Sequence, residues 1–151
     1  MPDSEDMLRE IFQRQSQLND EIFKKQDLRD RDGKVLTMAA IREGLEREEL
    51  GPNGLVNQWL RNYLTALKAE ADEVEQDLLW KWWSKDRIDL QNIRVEIVDL
   101  MHFLTSLALV SGLSPEDFHR LYTKKHEVNR NRQEQGYSKD TKNEADNKSV
   151  R

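Results

Sequence analysis

The sequence predicts an all-α protein, a compact helical bundle of about five helices completed by homo-oligomerisation. Only three Pro and six Gly punctuate 151 residues. Long segments between them carry apolar residues at the three-, four- and seven-residue spacings of one helix face. Cap and stop residues separate those segments. Hydrophobic residues make up 36% of the chain and charged residues 35%, an apolar share below the globular average. One core can form, but not a large one, and a partner chain is expected to complete the apolar surface.

The first helix is expected from Ser4 to about Lys25, with Met7, Leu8, Ile11, Leu18, Ile22 and Phe23 on its apolar face. Ser4 reads as its N-cap, with acids in the first turn. Asp27 to Lys34 is charged, contains Gly33 and reads as a loop. Thr37 caps a short helix expected to reach Leu50, ended by the Gly51–Pro52–Asn53–Gly54 run. Leu55 to about Trp83 lacks Gly and Pro and reads as one long helix, striped by Trp59, Tyr63, Leu67, Val74 and Leu78. After a break at Ser84 to Arg87, Asp89 or Asn92 opens a second long helix ending near Gly112. Ser114-Pro115-Glu116-Asp117 then places a Ser cap, Pro at the first position and acids in the first turn. That last helix should stop at Gly136. The bundle is expected over residues 1–137, with a disordered polar tail over 138–151.

Composition excludes several functions. With 24 Lys+Arg against 29 Asp+Glu, the net charge of -5 argues against a nucleic-acid polymer as partner. The absence of Cys removes disulfide scaffolds, zinc ribbons and thiol nucleophiles. The acidic start has no signal-peptide core. The most apolar stretch, Ile93 to Leu113, carries Arg94, Glu96, Asp99 and His102, a poor membrane span and a good buried helix. A cytoplasmic protein without a membrane partner is the expectation.

Four acids stand where apolar residues should be. Glu70 and Glu73 are neighbours on the first long helix, and Glu70 is three from Leu67 and four from Val74. On the second, Glu96 is three from Ile93 and four from Leu100, and Asp99 is four from Val95 and Phe103. A lone ExxE in so charged a chain reads as a solvated edge paired with Arg or Lys. Two such pairs, each within an apolar stripe, weaken that reading. Packed together they repel and lose hydration. Divalent cations relieve both, and oxygen-only ligands favour Mg²⁺ or Mn²⁺ over zinc. Two such ions could polarise a phosphoanhydride and activate water. Glu75 and Asp77, with Glu46, Glu48 and Glu49, read as facing water.

Near the end, Lys125, Asn129, Arg132 and Gln133 mostly share one helix face. Lys and Arg there can hold a polyphosphate, with Tyr137 closing behind Gly136. Alone the segment reads as a solvated helix end; beside a carboxylate-rich metal site, a phosphate reader is the better reading. Gln15 and Asn19, at i and i+4, can read a pyrimidine edge, although spacing alone favours two surface amides. His102 reads as a core residue or a sugar contact rather than a metal ligand. Trp80, Trp82 and Trp83 read as packing against another helix or subunit.

These segments, in order, resemble the dimeric all-α dUTPase family, within the wider all-α NTP pyrophosphohydrolase group that includes MazG-like enzymes. QSQLND (15–20) resembles the nucleobase-reading motif, and EADE (70–73) with the following WKWW the first metal motif. NIRVEIVDLMHF (92–103) resembles the second metal motif, and KHEVNRNRQEQGY (125–137) the closing phosphate motif. There are three departures: only about twenty residues separate the last two motifs, His126 stands where an Asn is common, and no tryptophan follows the first motif within Ile22 to Asp30. The resemblance implies hydrolysis of dUTP to dUMP and diphosphate by a homodimer or dimer of dimers. Mg²⁺ would be held by Glu70, Glu73, Glu96 and Asp99, with Glu73 orienting or deprotonating the attacking water. Lys125, Asn129, Arg132 and Tyr137 would hold phosphates, Gln15 and Asn19 read uracil, Phe103 stack near it and His102 meet the sugar. The alternatives are a MazG-like enzyme acting on dCTP or a noncanonical nucleotide, and a helical homodimeric interaction module without turnover.

Overall fold

The computed structural model describes residues 4–136 and 147–151, residues 4–6 by backbone alone. Five helices follow in order: α1 (Ser4–Lys25), α2 (Met38–Glu46), α3 (Leu55–Asp77), α4 (Leu90–Val110) and α5 (Pro115–Glu134). No β-strand occurs among the described residues, although Arg29 and Val35 form an isolated antiparallel bridge across the charged loop. The chain divides into two units, residues 1–112 and 113–151. Among the described residues, no single helix is long and apolar enough to cross a membrane.

In the first unit α4 packs along α3 and also meets α1 and α2. Each neighbour contributes to one core: Phe12 and Phe23 from α1, Ile41 from α2, Val56 and Tyr63 from α3, Ile93, Ala108, Leu109 and Val110 from α4. Leu36, from the loop before α2, is as buried as these. The Asp20 carboxylate accepts from the Met38 amide at 2.7 Å, so α1 satisfies an otherwise orphaned donor at the start of α2.

The cap signals operate locally. The Thr37 hydroxyl accepts from the Ala40 amide, Asp89 from Asn92 and Ser114 from Asp117. α1 is described from Ser4 onward, and the expected Ser4 cap concerns a side chain outside the described ones. Two helices end earlier than expected. α2 stops at Glu46 because Glu48 turns left-handed at φ 53°, and the Glu49 amide reaches back to the Gly44 carbonyl. This is a Schellman-type closure without its usual glycine. The next turn brings Gly54 so close to the Glu49 carbonyl that a Cβ there would lie 2.5 Å from its oxygen.

α3 stops at Asp77, and Leu78 is extended at ψ 150°. Bulky aromatics have modest helix propensity, and the Trp80–Trp83 run leaves the helix rather than continuing it. The indoles pack edge-on to one another and stay 75%, 87% and 61% exposed at Trp80, Trp82 and Trp83. Among the described residues, none of the three is buried against another helix. Asp77, expected to face water, is half-buried and accepts from the Asn92 side chain at the start of α4.

In the second unit α5 runs from its Ser114 cap to Gln135, followed by Gly136 at φ 80°. Of the segment expected to be a disordered tail, residues 138–146 lie outside the described residues. Residues 147–151 are described, and the Lys125 ammonium donates to the Asn147 side-chain oxygen.

Candidate active site

A cavity of about 570 Å³ opens in the first unit between α1, α3 and α4. Its wall includes Gln15, Asn19, Glu70, Glu73, Glu96, Asp99, His102 and Phe103. Two residue groups predicted to act on one nucleotide, the acids and the amides, therefore share one space.

The acidic end is built by helix periodicity. Glu70 and Glu73 are one turn apart on α3, Glu96 and Asp99 one turn apart on α4, and the close packing of α3 on α4 turns the pairs toward each other. One carboxylate oxygen each from Glu70, Glu96 and Asp99 lies within 4.8 Å of the others. Glu73 lines the same wall outside that triad and is more exposed. Among the described residues, no Lys or Arg lines the cavity, which further weakens the reading that these acids pair with cations at a helix edge. The electrostatic consequence is direct. Desolvation raises the Glu70 carboxyl above its ordinary value, and the charges of Glu73 and Asp99 add to it. Glu96 is raised by desolvation, by the charges of Glu73 and Asp99, by a hydrogen bond with Glu73 and by Asp77. Glu96 Oε2 is buried and has no hydrogen-bond partner. A hard divalent cation answers each of these features: oxygen donors only, excess negative charge and an orphaned carboxylate oxygen.

The amide end is more buried than its spacing suggests. Gln15 is 7% and Asn19 3% exposed, so neither is a surface amide. His102 Nδ1 lies 2.7 Å from Gln15 Oε1, Gln15 Nε2 donates to Asn19 Oδ1 at 2.9 Å, and Asn19 Nδ2 donates to Ser106 Oγ at 3.1 Å. His102 thus sits beside the amides, not among the acids.

The cavity also has an aromatic wall: Phe103 is the ring expected near the base, whereas Phe23, Trp59 and Tyr63 read in the sequence as ordinary apolar positions. Phe23 and Trp59 have ring centroids 4.7 Å apart, Trp59 and Tyr63 5.4 Å, Tyr63 and Phe103 6.5 Å. An indole, that of Trp59, is therefore present in the cavity although none lies within Ile22 to Asp30. Burial, with the nearby Asp20 charge, pushes the Tyr63 phenol up, so it stays neutral. The available signal was register: Tyr63 precedes Glu70 by seven residues, two turns on one face.

The remaining candidates lie on the second unit. Lys125 and Arg132 are half-buried and Asn129 exposed on α5, while Tyr137 lies outside the described residues.

Fold and cavity together define a class: all-α proteins with paired carboxylate motifs on two packed helices beside an amide-lined pocket. Within that class the chain belongs to the dUTPase family, whose profile matches residues 7–115. The match takes in every cavity residue and ends before the α5 candidates. The chain is also similar to two phage proteins named dCTP pyrophosphatase. The one from Enterobacteria phage T4 is 28% identical over 96 residues, covering 54% of this chain and 56% of the relative. The one from Enterobacteria phage LZ5 is 27% identical over 115 residues, covering 60% and 67%. No solved structure gives a significant match.

Proposed function

We propose that this protein is a Mg²⁺-dependent pyrophosphohydrolase of pyrimidine deoxynucleoside triphosphates, with dUTP converted to dUMP and diphosphate. The observation that carries the reading is the shared cavity, with buried amides, a carboxylate cluster and aromatic rings in one wall. The base sits against Gln15, Asn19 and Phe103, the sugar near His102, and the triphosphate extends toward α3 and α4. Glu70, Glu96 and Asp99 would hold the metal, with Glu73 completing the set from the rim. When bound, Mg²⁺ supplies charge neutralisation and polarisation of the phosphoanhydride oxygens. Glu73 accepts the proton of the attacking water as its oxygen bonds to phosphorus, and the phosphoanhydride bond to the diphosphate leaving group breaks. The aromatic wall excludes bulk water from the base. Lys125, Asn129, Arg132 and Tyr137 are assigned to phosphate on the sequence motif alone.

A second reading, dCTP as the substrate, is supported by the names of the phage relatives. Uracil and cytosine differ at one edge, so the amide reader must choose between them. The deciding experiment is diphosphate release by purified protein from each dNTP with Mg²⁺ or Mn²⁺. The proposal expects a pyrimidine preference that Asn19→Ala erodes more than it slows turnover. A purine preference would sink the base assignment while leaving the metal-dependent chemistry standing. No metal-dependent release from any nucleotide would sink both, in favour of an interaction module.

The active form is proposed to be a homodimer, or a dimer of dimers. Leu90, Val95, Ile97 and Val98 on α4 are about half exposed, as are Leu78, Leu79 and Ile88 on the connection before it. Together with the three tryptophans they present an apolar surface of the kind that a second copy covers.

A further inference from the structure

The amides at the base end are links in a closed ring of hydrogen bonds, and the ring has a direction. Ser106 fixes it. Its side chain is fully buried, and its Oγ lies 3.0 Å from the His102 carbonyl oxygen one turn earlier. A carbonyl only accepts, so the single hydroxyl proton is committed there. Ser106 Oγ must then accept from Asn19, which turns the Asn19 Nδ2 toward Ser106 and Oδ1 toward Gln15. Gln15 must answer with Nε2, leaving Oε1 for His102. His102 must therefore carry its proton on Nδ1. Every link follows from the one before, and the ring returns to the residue whose carbonyl began it.

We infer that Ser106 and His102 are positioning residues for base selectivity: they hold the Gln15 and Asn19 amides in one orientation, and that orientation decides between a 4-oxo and a 4-amino pyrimidine. This rests on the nucleotide reading proposed above. An amide offers N–H on one side and C=O on the other. Uracil presents an acceptor at C4 beside a donor at N3, and cytosine the reverse. An amide held in one direction matches one base and meets the other donor to donor, whereas an amide free to turn over accepts both. Ser106 does not line the cavity, so it acts on the base only through Asn19 and Gln15.

The test is kcat/KM for dUTP and dCTP, with Mg²⁺, of the full chain and of Ser106→Ala. The wild-type protein should favour one pyrimidine by about tenfold or more. Ser106→Ala should move the ratio toward one by a similar factor, mainly by lowering KM for the disfavoured nucleotide. A wild-type ratio near one, or an unchanged ratio in Ser106→Ala, overturns the inference. A second measurement needs neither a variant nor turnover: the ¹⁵N shifts of the neutral His102 ring in the wild-type protein. Protonation at Nδ1 is expected, and protonation at Nε2 overturns the ring's direction even if Ser106→Ala does not fold. Wild-type protein that hydrolyses neither nucleotide, with Nδ1 protonated, overturns the nucleotide reading and the selectivity role with it, and leaves the ring as structure alone.

Discussion

Glu96 on α4 and Asp77 at the end of α3 are joined by repulsion rather than by a bond. Asp77 is one of the charges that raise the Glu96 carboxyl, while it accepts from Asn92 one turn before Glu96. The bond that ties the two helices together therefore also delivers an additional negative charge to the acidic cluster. Such a cluster destabilises the metal-free protein and is offset when a cation binds.

Removing a carboxylate should separate stability from turnover. Glu70→Ala or Asp99→Ala is expected to lower Mg²⁺-dependent diphosphate release by at least about a hundredfold. Helix content by circular dichroism should be retained, and the metal-free melting temperature should be equal or higher. Near-normal activity in Glu70→Ala would remove Glu70 from the metal site.

The pH dependence follows from the direction of the shifts. Glu70 and Glu96 are raised above their ordinary value near 4.5, so the folded protein holds these protons more tightly than the unfolded chain. Their contribution to stability is greatest at low pH and declines as pH rises from about the ordinary value through the raised one. In chelator, Tm should fall across that window, and Glu96→Gln should flatten the fall. A Tm of wild-type protein that climbs over the same range to the same extent as in Glu96→Gln would contradict the assignment.

The left-handed residue closing α2 gives a stability prediction. Glu48 adopts φ 53°, where a Cβ is disfavoured. Glu48→Gly should stabilise the protein by about 0.5–1 kcal/mol, the relief of strain less the entropy of a new glycine. Chemical denaturation at unchanged m-value is the measurement.

The apolar surface gives a fourth. Light scattering should report a multiple of the 17.9 kDa chain mass. Val98→Glu, at a position 56% exposed in the single chain, should shift the population toward monomer. A wild-type monomer at micromolar concentration would end the dimer proposal.

Local signals were legible in the sequence, and tertiary ones only where they left a contradiction. The caps at Thr37, Asp89 and Ser114 work within a few residues of themselves; Thr37 and Ser114 form as read, and of the two candidates before α4 it is Asp89 that caps. Glu70, Glu96 and Asp99 were legible because acids in an apolar stripe demand an explanation. The burial of Gln15 and Asn19 was not, because it depends on His102 and Ser106, some 87 residues further along the chain. Spacing within α1 carries no trace of those partners. The end of α3 was misread for a related reason. Continuity without Gly or Pro argues for a helix through Trp83, but three indoles in four positions contribute little helix preference, and among the described residues none of them is buried.

The distribution of tryptophan makes the protein its own optical reporter. Three of the four indoles sit in water beside one another, and the fourth, Trp59, belongs to the cavity wall and has a buried N–H without a partner. Emission of the separate chain should be dominated by solvent-relaxed, long-wavelength fluorescence from the Trp80–Trp83 segment. Association of two copies over that segment should move the maximum to shorter wavelength without nucleotide. Nucleotide should quench only the minor Trp59 component. Trp59→Phe therefore divides one spectrum into two signals, one for assembly and one for occupancy.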